Sequence, residues 1–210
     1  VSEYKTDEEQ AEALKKWWKE NGKFIIAGIV VGLSAIFGLR GYNNHVAQEA
    51  EAASMLYEQM LVASRANDSE NVGVYANRII EGYESSSYAT FAKLMLAKLA
   101  AETGDLDLAE THLRWVMENN SQAEFKHVAR LRLARVLIAA DKLDMAEKTL
   151  NIITQGDFFA RYEELRGDIF VKQEKIAEAR QAYQKALANT AAAEGEQSIL
   201  QMKLDDLGRI

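Results

Sequence analysis

The stretch LMLAKLAAETGDLDLAETHLRWV, from Leu94 to Val116, decides the fold. It reads as an apolar helix, a short polar turn at Thr103-Gly104-Asp105, and a second helix with a small residue, Ala109, on its inner face. The pattern returns as LRLARVLIAADKLDMAEKTLNII from Leu131 and as ELRGDIFVKQEKIAEARQAYQKA from Glu164. The aligned alanines are Ala109, Ala146 and Ala179, spaced 37 and then 33 residues. A tetratricopeptide repeat has a period of about 34 residues.

Other positions follow the alignment. Ala97, Ala134 and Gly167 each stand twelve places before their alanine, and Leu113, Leu150 and Tyr183 stand four after it. Small residues let paired helices approach, and large ones fill the space between pairs. Leu96 and Leu133 align with Arg166, a mismatch in the third repeat. Gly104 and Asp141 open two turns, and Glu174 replaces them in the third. An earlier hairpin is expected over roughly 46–85, carrying Met55, Leu56, Met60 and Leu61, then Tyr75, Ile79, Ile80 and Tyr83. Residues 197–207 read as a terminal capping helix.

Composition agrees. The chain has 210 residues, 48% hydrophobic and 27% charged, so it can bury a core. It contains no proline, where average usage predicts roughly ten. That absence favours an almost wholly helical chain. A net charge of −7 speaks against nucleic acid as a partner, and zero cysteine removes disulfides and thiolate chemistry.

Upstream of the repeats, Phe24 to Leu39 reads FIIAGIVVGLSAIFGL, sixteen residues without a charge between Lys23 and Arg40. At 1.5 Å per residue it covers roughly 24 Å, against ~30 Å of hydrocarbon, so length alone also admits a buried core helix. Ten of the sixteen are Phe, Ile, Val or Leu, the run has no polar face, and Trp17, Trp18 and Tyr42 flank it. These features favour a span in the lipid bilayer. The run begins too deep in the chain for a cleaved signal peptide, and Ala50-Glu51-Ala52 lies too far beyond it. Lys5, Lys15, Lys16, Lys19 and Lys23 precede it, and Arg40 is the only Lys or Arg from there until Arg65. The expected topology is a cytoplasmic tail at 1–23, an anchor at 24–42 and a periplasmic repeat domain at 43–210. Gly28 and Gly32 read equally as a helix-packing motif or as glycine tolerated in a membrane helix. Asp7-Glu8-Glu9 reads as a flexible polar tail.

The segment EALKKWWKENGK (Glu12 to Lys23), the apolar run, the Arg40-Gly41-Tyr42 exit, LRLARV at Leu131 and ELRGD at Glu164 together resemble the YfgM family. These are the inner-membrane ancillary subunits of the SecYEG translocon in enterobacteria. The resemblance covers nearly the whole chain. It implies a periplasmic repeat domain working beside SecYEG with the membrane-anchored chaperone PpiD on translocating polypeptides, and it supplies no catalytic residue.

No sequence signal points to an enzyme. His45, His112 and His127 are scattered, and neither a zinc-protease motif nor a phosphate loop is present, so no metal, cofactor or catalytic residue is assigned. Glu163, Glu164 and Asp168 read as a solvated helix face. The fold expectation is all-α: one N-terminal transmembrane helix followed by a tetratricopeptide-like right-handed helical-repeat domain. The first helices of the repeats should line its concave side, which nominates Phe91, Leu94, Lys98, Leu131, Arg135, Glu164 and Asp168 for partner binding. Arg130 and Arg132 add positive charge. Against this, Phe91, Leu94 and Leu131 also read as ordinary core. The functional alternative to a translocon-associated module is an anchored regulator that sequesters a signalling protein through its cytoplasmic tail.

Overall fold

A computed structural model describes residues 7–152, 156, 158–189 and 194–208. Among them all regular structure is helical: α1 (Asp7–Arg65), α2 (Ser69–Gly82), α3 (Ser87–Glu102), α4 (Leu106–Asn119), α5 (Ala123–Ala139), α6 (Leu143–Leu150), α7 (Phe159–Lys172), α8 (Ile176–Ala188) and α9 (Glu194–Asp206). The chain forms two units, Val1–Ala52 and Ala53–Ile210.

The first unit is helical from Asp7 onward, so Asp7-Glu8-Glu9 opens a helix and is not a flexible tail. The expected borders at 23/24 and 42/43 both fall inside α1. Its apolar run is long and apolar enough to cross a membrane. Phe24, Val31 and Phe37 are at least 65% exposed, which excludes a buried core helix and fits an inner-membrane anchor.

In the second unit the end of α1 pairs with α2, and α3/α4, α5/α6 and α7/α8 are the three hairpins expected from the aligned alanines. All four pairs turn in the same way. Asn67, Gly104, Asp141 and Glu174 follow the first helices with φ of 55°, 84°, 57° and 60°, the left-handed region. The next residue then donates its N–H back to the last turn: Asp68 to Ala63, Asp105 to Ala100, Lys142 to Leu137 and Lys175 to Phe170, at 2.8–2.9 Å. This six-to-one bond satisfies a carbonyl that the helix end would otherwise leave open. Glycine adopts the left-handed conformation freely and Asn or Asp at modest cost, whereas Glu174 bears the Cβ penalty in full. Asp68 and Asp105 then cap their second helices, accepting from the N–H of Asn71 and of Leu108.

Packing follows the small-and-large rule. Ala109, Ala146 and Ala179 are fully buried, and so are Leu113 and Leu150 within a point. In the third hairpin the large partner is Tyr183, and its small partner is glycine. A Cβ at Gly167 would overlap the Tyr183 ring. Gly167 and Tyr183 thus together replace the Ala–Leu pairs 97/113 and 134/150. The mismatched Arg166 keeps the register: it donates to the Leu150 carbonyl at 3.0 Å and pairs with the buried Glu163. Trp115 packs against the cores of both the first and the middle pairs, with the Lys93 ammonium 5.3 Å from its ring. At the far end α9 lays Leu200 and Leu207 against α8, as expected of a cap.

Two stability outcomes follow. Glu174→Gly removes the Cβ penalty at a net gain of about 0.5–1 kcal/mol, read as a higher melting temperature. Gly167→Ala alone costs about 1–3 kcal/mol by overpacking, while Gly167→Ala with Tyr183→Leu restores an Ala–Leu pair. Denaturant melts of both single variants and the double variant should show that coupling; simple additivity would refute it.

Candidate functional site

The seven nominated residues do not converge on one groove. Leu94, Leu131 and Glu164 share one repeat position, and the two leucines are core, 7% and 3% exposed. The reason is that each first helix is covered on this side by the next: α3 contacts α5, and α5 contacts α7. After the last pair the role passes to α9. Lys203 reaches back to Glu164 at 2.7 Å and to both oxygens of Asp168 at 2.7 and 2.9 Å. Burial pulls the Lys203 ammonium down, but hydrogen bonds and charge from Asp168 and Glu164 outweigh it and hold the pKa above the ordinary lysine value. Asp168 also accepts from the Tyr183 hydroxyl at 2.7 Å. Glu164 and Asp168 therefore clasp the cap to the stack. Lys98 and Arg135 are exposed, and Lys98 pairs with Glu102 at 3.6 Å. Phe91 is half-buried.

Phe91 instead belongs to a row of aromatic side chains along the starts of the first helices. Its ring centroid lies 5.4 Å from Tyr57 on α1, 6.4 Å from Tyr88 on its own helix and 5.3 Å from Phe125 on α5. Tyr57 and Tyr88 are themselves 5.4 Å apart. Further on, His127 stacks on Phe158 at 4.7 Å and meets Tyr162 edge-on at 5.8 Å. Tyr57, Tyr88, Phe91, Phe125 and Phe158 are all half-buried, so each ring keeps an edge or face for a partner. A signal for this row existed in the sequence. Tyr88, Phe125 and Phe158 are spaced 37 and 33, the same intervals as the alanines.

Charges of both signs, Arg130 and Glu124, act on His127 in this row. Burial lowers the His127 pKa and Arg130 adds to the effect; together they outweigh Glu124 and favour the neutral imidazole. Its Nδ1 is 3.0 Å from the Tyr162 hydroxyl. Arg132 and Arg135 sit three apart on α5, both exposed; partial burial of the guanidinium first, and the charge of Arg135 second, lower the Arg132 pKa from its ordinary value. Among the described residues no cluster of three or more His, Cys, Asp or Glu could hold a metal ion. Aromatic edges with flexible cations suit the apolar side chains and backbone of a polypeptide better than a small molecule.

Comparison with known proteins agrees with the fold. The family described as "Tetratricopeptide repeat-like domain" matches residues 15–209. The chain is 33% identical over 201 residues to the "Ancillary SecYEG translocon subunit" of Aggregatibacter actinomycetemcomitans, covering 96% of this chain and 97% of the relative. It is 34% identical over 202 residues to the protein of that name from Haemophilus influenzae, with the same coverage of both chains. Among solved structures, a tetratricopeptide repeat protein from Parabacteroides merdae superposes with a TM-score of 0.56 at 18% identity, covering 84% of this chain and 68% of that one. MamA from Desulfovibrio magneticus RS-1 also gives 0.56, at 17% identity, covering 75% and 88%. These two likenesses establish the fold. With nearly full-length matches in both directions at a third of positions identical, this chain belongs to the tetratricopeptide repeat-like family of ancillary SecYEG translocon subunits.

Proposed function

We propose that this chain is a non-catalytic adaptor of the SecYEG translocon, held in the inner membrane by residues 24–42 with 1–23 in the cytoplasm and 43–210 in the periplasm. The observation that carries the reading is the near full-length match, with a third of positions identical, to proteins named for that association. The exposed apolar stretch of α1 supports the anchor, and the excess of lysine before it supports the orientation. In this role the repeat domain takes up polypeptide emerging from SecYEG and works beside a PpiD-like chaperone. The half-buried rings of Tyr88, Phe91 and Phe125 supply apolar contact for such segments, and Lys98 and Arg135, exposed further along α3 and α5, supply polar contact. Extended chains in transit expose the apolar side chains that these rings match.

Two measurements test it. Extraction of membranes in mild detergent, with affinity capture on the C-terminus, should co-purify SecY together with a periplasmic chaperone. Recovery of a cytoplasmic signalling protein with neither of these would support the regulator instead. Separately, Phe91→Ala with Phe125→Ala should weaken binding of an unfolded, carboxymethylated protein to the purified chain about tenfold. Helical content should stay unchanged, and unchanged affinity would remove the aromatic row from the client-binding role.

A further inference from the structure

Within the stack each second helix packs against the first helix that follows it: α2 on α3, α4 on α5, α6 on α7 and α8 on α9. The last turns of α1 occupy a first-helix place in the repeat unit, with no second helix before them among that unit's described residues. Tyr57 faces α3 through Tyr88, and Ser64 faces it through the Met95 sulfur at 3.9 Å. The opposite side of α1 is open. There a groove of about 510 Å³ runs between α1 and α2, lined by Met55, Glu58, Val62, Ala66, Asp68 and Tyr75 among others. Met55 is 56% exposed and Val62 63%. Met55, Val62 and Ala66 are spaced seven and four, so they form one stripe on the helix.

The two ends of the stack are thus treated differently. α9 seals one with buried Leu200 and Leu207 and the Lys203 clasp. The other keeps an apolar stripe that an end repeat of a solenoid ordinarily replaces with polar residues. Its charged lining is acidic: Glu58 and Asp68 form no ion pair among the described residues, and Asp68 is held by neutral donors, Asn71 and the Glu70 backbone N–H.

We propose that this groove is completed in trans by one amphipathic helix of a partner protein, standing where the missing second helix would stand. The helix presents apolar residues at helical spacing with lysine or arginine beside them, placed against Glu58 and Asp68. The same carboxylates argue against a second copy as occupant. An isologous pairing through this face would set Glu58 and Asp68 of one chain near those of the other. This site is distinct from the aromatic row and does not depend on it.

The test uses the full chain in phosphatidylcholine nanodiscs, with empty discs as the blank. The probe is a fluorescent amphipathic peptide of about 20 residues, beyond the length at which an isolated helix is marginal, with leucine at helical spacing flanked by lysine. A sibling peptide carries glutamate in place of lysine. Anisotropy should show saturable binding of the lysine peptide and at least tenfold weaker binding of the glutamate peptide. Val62→Asp and Glu58→Lys, both at exposed positions, should each weaken the lysine peptide at least tenfold, while Glu147→Lys, the same charge reversal at an exposed position on α6, leaves it unchanged. Equal affinity for the two peptides, no binding, or indifference to both groove variants would overturn the proposal. So would light scattering that reveals a dimer dissociated by Val62→Asp, which would give the face to a second copy.

Discussion

Everything in the repeat unit depends on one backbone constraint, the left-handed residue that ends each first helix. Asn67, Gly104, Asp141 and Glu174 reverse the chain in the same way, with the following N–H bonded to a carbonyl five residues back. The reversal fixes the phase of the second helix, so a residue five past the turn in the last three pairs (Ala109, Ala146, Ala179) always meets the same face of the first. Only then can a small residue be written at a fixed place in each pair. The side chain at the turn is secondary, which is why glycine, aspartate, asparagine and even glutamate serve.

Once the phase is fixed, variation is absorbed in pairs. Tyr183 enters where leucine stands elsewhere, and Gly167 withdraws a methyl to admit it. Lys142 stands at the start of α6, where its charge opposes the helix dipole. It bonds Asp107 at 2.7 Å and Glu110 at 3.2 Å on α4, so an unfavourable end becomes a tie between neighbouring pairs. Lys203 plays the equivalent part at the cap, joining α9 to α7 through a pair of carboxylates.

The fold was legible because its signals are local and periodic. Ala109, Ala146 and Ala179 carry the pairing, and Gly167 reads as small despite the Arg166 mismatch beside it. The interaction surface was less legible, for a geometric reason. One residue is 100° on a helix, and whether Leu94 faces solvent or the next helix depends on how successive pairs are stacked, a relation between distant segments. The same relation hid the role of Glu164 and Asp168, whose partner Lys203 lies 39 and 35 residues later. The first hairpin was legible over roughly 46–85, but its turn residue Asn67 was not, because the helix before it continues unbroken from the apolar run. The aromatic row was written at the repeat spacing in Tyr88, Phe125 and Phe158. Recurring large residues mark that row, as recurring small ones mark the pairing.

The covering of each first helix by the element that follows it sets an order in time as well as in space. A chain made from its N-terminus completes one pair, leaves one apolar row bare, and covers that row when the next first helix arrives: Leu94 waits for α5, and Leu131 for α7. Nearly all contacts are between neighbours in the chain, so contact order is low and each step closes only a short loop. The domain can therefore fold in step with its own synthesis, each pair serving as the template for the next, until α9 brings Lys203 and no row remains uncovered at that end.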